Sequence, residues 1–348
     1  MSERLTNILG YLTLFAILGA IWVLFGEDPT REQGGRGEPT FEGIKASIND
    51  VAALKLEKSG STVTLQKTGE GWQVAERGGY AADISLVRDF LRGVALSERR
   101  EPKTANPERF GEIGLGTEAL KVTLAAKDDS TMLAFDMGKQ SMIGSDRSLT
   151  YVFQEKDTRA WLVTALAEAS GDPAWWLDKS LLDITATRFR AVTMGGVTLE
   201  RPLGATDYTL AGLKDGEKAV PAWRLGEPAR VLSGLGFEDV RHLGNPLSDP
   251  KATVVAHTHD GLMLSLALYD MEGATWVQVT ASFDATEQST GEEGTLPDAP
   301  ADVAAEAVMI TGKTHGWFFR LDDADAQALL QKRADFLVAD TPENDPTS

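Results

Sequence analysis

"AALKLEKSGSTVTLQKTGEGWQVA", Ala52 to Ala75, can be laid over "RAVTMGGVTLERPLGATDYTLA", Arg190 to Ala211, and that overlay decides how the chain is organised. In it Val63-Thr64-Leu65 meets Val197-Thr198-Leu199, Lys67 meets Arg201, and Trp72 meets Tyr208. Both stretches alternate apolar and polar residues around turn-forming glycines, as half-buried antiparallel strands do. Each reads as a hairpin.

A helical pattern follows each hairpin. Ile84, Val87, Phe90, Leu91 and Val94 recur at three-to-four spacing behind Asp83, a residue type that caps helix N-termini. "FLRGVALSE" from Phe90 then matches "VLSGLGFED" from Val231, with Gly93 over Gly234. Pro228 fits a first helical turn and no interior position, so the second helix is predicted to be shorter. Further strands follow: "LKVTLAA" and "TMLAFDM" around "KDDS", and "ATVVAHT" and "LMLSLALY" around "HDG". "TYVFQEKDTRAWLVTAL" (Thr150 to Leu166) and "GWFFRLDDADAQALLQK" (Gly316 to Lys332) each read as an aromatic strand, an aspartate (Asp157, Asp323) and a helix. The expected class is therefore α+β: two tandem, pseudo-symmetric antiparallel-sheet-plus-helix repeats, 41–184 and 185–339. The competing reading is two unrelated α+β domains, because short alternating strands match one another easily.

The flanks differ in composition. Ile8 to Phe25, "ILGYLTLFAILGAIWVLF", carries no charge, and its eighteen residues at about 1.5 Å each cover roughly 27 Å, close to a bilayer's hydrocarbon thickness. The run ends in Phe25-Gly26-Glu27-Asp28 with no small-x-small cleavage site, so it reads as an uncleaved transmembrane anchor behind a cytoplasmic stub, 1–7. Arg4 on the short side and Glu27 and Asp28 on the other place the amino terminus inside and the bulk of the chain outside the cytoplasm. Residues 26–40 read as a flexible tether, 284–301 as an exposed acidic loop, and 340–348 as a disordered tail.

The formal charge of −18 opposes polyanionic partners and argues against nucleic-acid binding. With no cysteine, disulfides, thiol nucleophiles and Cys-ligated zinc are all excluded. The metal candidates are His257 and His259 in "HTHDG", since residues two apart on a strand share a face and imidazole is a common ligand. Catalytic zinc usually needs a third protein ligand, and no motif ties His242 or His315 to this pair. The competing reading is an ordinary hairpin turning at Asp260-Gly261. There is no G-x-S-x-G elbow, and neither "GGRGEP" nor "GEIGLGTE" has a Walker lysine, so no catalytic residue and no cofactor is assigned.

Most of the tryptophans have structural readings: Trp72, Trp276 and Trp317 on strands, and Trp161 on the buried face of a helix. Trp223, in the irregular "VPAWRLGEP", has no counterpart in the first repeat and is the candidate partner contact. In "AWWLDKSLLDI" (Ala174 to Ile184), Gly171-Asp172-Pro173 supplies a turn, a cap and a first-turn proline for a short helix. Trp175, Trp176, Leu181, Leu182 and Ile184 then read as a wedge at the joint of the two repeats, with Lys179 reaching solvent or a carboxylate.

The anchor, the first hairpin and its helix, "RFGEIGLG" (Arg109 to Gly116) and "WWLDKSLLDITATRFRAVTM" (Trp175 to Met194) together resemble the bacterial domain-of-unknown-function family 4340, from about Ala52 to Leu337. The long acidic loop and an irregular first hairpin in the second repeat depart from that pattern. The resemblance implies an inner-membrane-anchored envelope protein, often encoded beside ABC-transporter components similar to those of gliding-motility systems, and it carries over no catalytic residue. The expected function is that of a noncatalytic periplasmic accessory subunit contacting an integral-membrane or envelope partner such as an ABC permease or ATPase. The alternative is a ligand-binding module or envelope enzyme using a groove between the repeats.

Overall fold

Alternation of apolar and polar residues sets the strands. In β1 (Ala53–Lys58) and β2 (Ser61–Thr68), Leu54 pairs with Leu65 and Leu56 with Val63, so four buried side chains share one face. The computed structural model describes residues 36–338 apart from 70, 143–147, 244–246, 248 and 290–298. The predicted anchor, most of the tether, the centre of the acidic loop and the tail lie outside the described residues. Among the described residues no helix is long and apolar enough to cross a membrane.

The chain is mixed α/β, with two antiparallel sheets and few helices. It divides into two units, Met1–Trp72 with Ile84–Asp172, and Gln73–Asp83 with Pro173–Ser348. In the first, β1 and β2 are joined by β3 (Gly71–Val74, its first two residues), β5 (Arg99–Pro102), β6 (Leu120–Ala125), β7 (Thr131–Met142), β8 (Ser148–Phe153) and β9 (Trp161–Val163), in the order β3-β2-β1-β6-β7-β8-β9-β5. Two helices accompany them, α1 (Ile44–Ser47) packed on α2 (Ile84–Leu96). Helix α2 buries Val87, Phe90 and Val94. A Cβ at its Gly93 would lie 2.4 Å from the Ala165 carbonyl oxygen, which shows how closely the helix approaches the chain after β9.

The predicted core stripe of α2 is narrower than expected, for Ile84 is exposed and Leu91 half-buried. A larger correction concerns Trp161, placed by the sequence on a helix. Trp161, Leu162 and Val163 instead form β9, buried at all three positions between β8 and β5. Aromatic and β-branched residues covered on both faces suit a central strand, and Ala165 at φ 67° ends the segment before a helix can begin.

In the second unit β10 (Phe189–Met194), β11 (Val197–Glu200), β12 (Thr209–Leu210), β13 (Asp239–His242), β14 (Ala252–Thr258), β15 (Leu262–Met271), β16 (Ala274–Phe283) and β17 (Trp317–Arg320) form an eight-stranded sheet, order β12-β11-β10-β14-β15-β16-β17-β13. Its helices are α3 (Ala222–Leu225), α4 (Glu227–Ser233), α5 (Val303–Thr314) and α6 (Asp323–Leu329). Helix α4 has seven residues against thirteen in α2, with Pro228 in its first turn. Helix α5 is fastened to β16 by the Thr314 hydroxyl, which donates to the Val279 carbonyl at 2.7 Å.

The short piece Gln73–Asp83 belongs to this unit, and within it β4 (Tyr80–Ala81) pairs with Gln73 and Val74. The Tyr80 ring meets Phe237, Trp317 and Phe319 edge-on at centroid distances of 5.6, 5.0 and 5.8 Å. Arg77 clasps Asp239 through both oxygens, at 2.5 and 3.2 Å. The stretch Ala174 to Ile184 also belongs to this unit, starting in a 3-10 turn over Pro173–Trp176. The Trp176 carbonyl accepts from Asp83 N–H, the Leu182 amide donates to the Leu235 carbonyl just past α4, and the Ile184 amide donates to the carbonyl of Ser233, the last residue of α4. Leu181 and Leu182 are buried, Trp175 is half-buried against Trp176, and Lys179 is exposed.

Trp176 is fully buried. Trp176→Ala is expected to cost about 3–5 kcal/mol, the usual range for removing a buried aromatic ring. Urea denaturation of the full chain should show this as an earlier transition for the second unit; an unchanged midpoint would contradict the packing described.

Candidate functional site

Three places hold the residues with chemical potential. The first is the turn between β14 and β15. The Thr258 hydroxyl donates to the Asp260 carboxylate and accepts from Leu262 N–H, so Asp260 is held inward. Arg188 donates to Asp260 at 2.7 Å and grips both Glu306 oxygens at 2.8 and 2.6 Å. Arg188 and Asp260 are each 4% exposed, so this is a buried ion cluster. Burial pushes the Asp260 carboxyl up, but the hydrogen bonds from Arg188 and Thr258 outweigh it and hold it below the usual carboxylate range.

His257 lies at the end of β14 and His259 in the turn beyond it, so the two do not both stand on the strand, but both meet the segment 284–289. The His259 Nδ1 lies 2.8 Å from the Ser289 hydroxyl, and the His257 Nδ1 lies 3.8 Å from Glu287. The same segment is bonded through its backbone, Ser289 N–H to the His259 carbonyl and Asp284 N–H to the Gly261 carbonyl. Gly261, at φ 90°, has no room for a Cβ, which would fall 2.6 Å from the Asp284 oxygen. The imidazoles thus serve to clamp the hairpin turn to the following segment. Among the described residues no group of three or more histidine, aspartate or glutamate side chains is placed to hold a metal ion. His242 sits elsewhere, edge-on to Trp317.

Trp223 is the second place. It stands on α3, which packs against β12 and α4, and its side chain is 73% exposed. Among the described tryptophans it alone is exposed, the others being buried or half-buried.

The third place was not singled out by the sequence. A groove of about 420 Å³ in the first unit is floored by apolar residues including Ile48, Val51, Trp72, Leu91 and Ala95. Its charged lining residues are Lys45, Lys67, Arg88 and Arg92, with no carboxylate among the lining residues. Lys67 reaches the Asn49 carbonyl at 3.4 Å. The signal for this groove lies in α2: Ile84, Arg88, Leu91, Arg92 and Ala95 follow i, i+4, i+7, i+8, i+11, a second stripe beside the core one.

A family model described as a domain of unknown function (DUF4340) matches residues 72–255, more than half of the chain. The chain belongs to the DUF4340 family. No curated protein and no solved structure matches it.

Of the stretches that carried the resemblance, "RFGEIGLG" and "WWLDKSLL" fall inside the region matched to DUF4340, whereas the anchor and most of the first hairpin precede it; the two inside have physical explanations. In "RFGEIGLG" a 3-10 helix, Pro107–Ile113, ends at Gly114 with φ 73°, where a Cβ would lie 2.8 Å from the Lys139 amide nitrogen. Leu115 is then buried, so the element is a loop pressed onto β7. In "WWLDKSLL" the fully buried indole is Trp176, while Asp178 is engaged by Lys313 at 3.3 Å.

The clamp has a pH signature. Burial is the main cause that lowers the pKa values of His257 and His259, with Arg190 adding to it at His257, and Arg201 and Arg190 at His259. Below about pH 6.5 the unfolded chain then binds more protons than the folded one, so stability present above that pH is lost as pH falls through the folded values. Between pH 7 and 5 the urea midpoint of the second unit should fall, and His257→Gln/His259→Gln should flatten that slope. Equal slopes in the two proteins would remove the clamp.

Proposed function

We propose that this DUF4340 protein is a membrane-anchored accessory protein that works by binding: two tandem, pseudo-symmetric α+β repeats behind the apolar segment Ile8 to Phe25, facing the periplasm. The repeat reading is supported by strand order. Apart from the edge strand β4, which has no counterpart, matching β3, β2, β1, β6, β7, β8, β9 and β5 in turn with β12, β11, β10, β14, β15, β16, β17 and β13 reproduces one strand order from the other. Each set also carries a helix between its third and fourth strands in chain order, once β4 is set aside: α2 in one and α4 in the other.

The observation that carries the binding role is Trp223. An indole left 73% exposed is costly in water and is the type of side chain that anchors interfaces. The proposed partner is an integral-membrane or envelope protein such as an ABC permease or ATPase, at the cytoplasmic membrane of a bacterium. A second reading, a ligand-binding module, is favoured by the apolar groove with its four cations.

Cross-linking in intact cells followed by purification of the full chain from solubilised membranes tests the first reading. A membrane-protein partner should be enriched, and Trp223→Ala should reduce its recovery several-fold without shifting the denaturation midpoint. Recovery of the protein alone, or of the same partners at the same level from the variant, would count against it.

A further inference from the structure

The groove of the first unit sets an unusual charge pattern on an acidic protein. The chain has 52 acidic and 34 basic side chains, yet the four charged residues lining this groove are all cations. Among the described residues none of the four has a carboxylate partner. They come from three directions: Lys45 from α1, Lys67 from β2, and Arg88 and Arg92 one turn apart on α2. All four are exposed, whereas Trp72, Val51 and Leu91 below them are buried or half-buried. Charge therefore stands at the rim and hydrocarbon at the floor. Ile84 and Leu96 extend the apolar surface to solvent, at 44% and 49% exposure.

We propose that this groove binds an anionic phospholipid, with the phosphate between the four cations and the start of an acyl chain on the apolar floor. A free phosphate ester would satisfy the rim and leave the floor wet. A zwitterionic lipid would satisfy the floor and bring its own cation to a cationic rim. An acidic amphipathic peptide is the competing occupant, and competition with the lipid separates the two. The source of the lipid is close at hand. Residues 37–40 are bonded to Ser97 and Arg99, so only 26–35 lie between the apolar run and the folded part; ten residues reach at most about 35 Å, and a chain anchored by Ile8 to Phe25 keeps this groove near a bilayer surface.

This inference rests on the binding reading and on the membrane anchor, but not on Trp223 or on any protein partner, so its test can fail while the cross-linking experiment succeeds. The full chain in a nonionic detergent is titrated with dihexanoylphosphatidylglycerol, and bound lipid is counted by native mass spectrometry. Saturable binding of one lipid is expected. Arg88→Gln/Arg92→Gln should weaken it about 30-fold, and Lys45→Gln/Lys67→Gln should act in the same direction, each cation contributing about what a basic residue does near an anionic membrane. All four residues are exposed, and unchanged denaturation midpoints confirm that the variants fold. Dihexanoylphosphatidylcholine and glycerol 3-phosphate should each bind at least about tenfold more weakly, for want of charge and of apolar contact respectively. Glycerol 3-phosphate binding as tightly as the lipid, displacement of the lipid by an acidic amphipathic peptide at lower concentration, or equal lipid binding by wild type and both double variants would each overturn the proposal.

Discussion

Each sheet depends on a pairing between strands far apart in the chain. β1 lies antiparallel to β6, with Leu54 opposite Leu124 and Leu56 opposite Val122, and β10 lies antiparallel to β14, with Val192 opposite Ala256. These pairings join an N-terminal hairpin to a meander that follows much later in the chain. Because side chains alternate with a period of two, a slip of one residue in either would turn every buried Leu and Val of that strand to the wrong face. The same registers place the rest. They fix the direction of β2, whose Lys67 reaches the groove, and the end of β14, which positions the histidines.

Much of this organisation was legible in the sequence because it is written in short-range alternation. The VTL stretches at Val63 and Val197, the turn at Asp260-Gly261 and the shortening of α4 by Pro228 each follow from residue type and spacing. Segment β9 was misread because "RAWLVTAL" also fits a helical period, and only its two neighbouring strands decide between the alternatives. Tertiary pairing overrides local preference there.

The sites were less legible, and for a different reason. Trp223 could be singled out because it had no counterpart across the overlay, a property visible in one dimension. The cationic groove could not, since Lys45, Lys67 and the arginines of α2 converge only after β2, α1 and α2 are folded. The histidine pair was noticed for metal chemistry, but Ser289 and Glu287 thirty residues later engage both rings. Asp260 likewise looked like a turn residue, and its carboxylate proves to be held between Thr258 and Arg188 in a buried ion cluster. A buried guanidinium gripping two carboxylates is costly to break, though not necessarily stabilising relative to an apolar core, and its geometry fixes where the turn must sit.

The piece Gln73–Asp83 gives the two units an order in time. It is inserted in the sequence of the first unit and packs in the second, with Tyr80 against Phe237, Trp317 and Phe319. At about 5–20 residues per second, a ribosome needs tens of seconds after making Tyr80 to reach the last of those partners. During that interval the first unit can pair its own strands while an aromatic residue at its edge has nothing native to pack on. Synthesis therefore passes through a stage with one adhesive loop on an otherwise complete sheet, and the finished chain cannot be parted into its two units by a single cut.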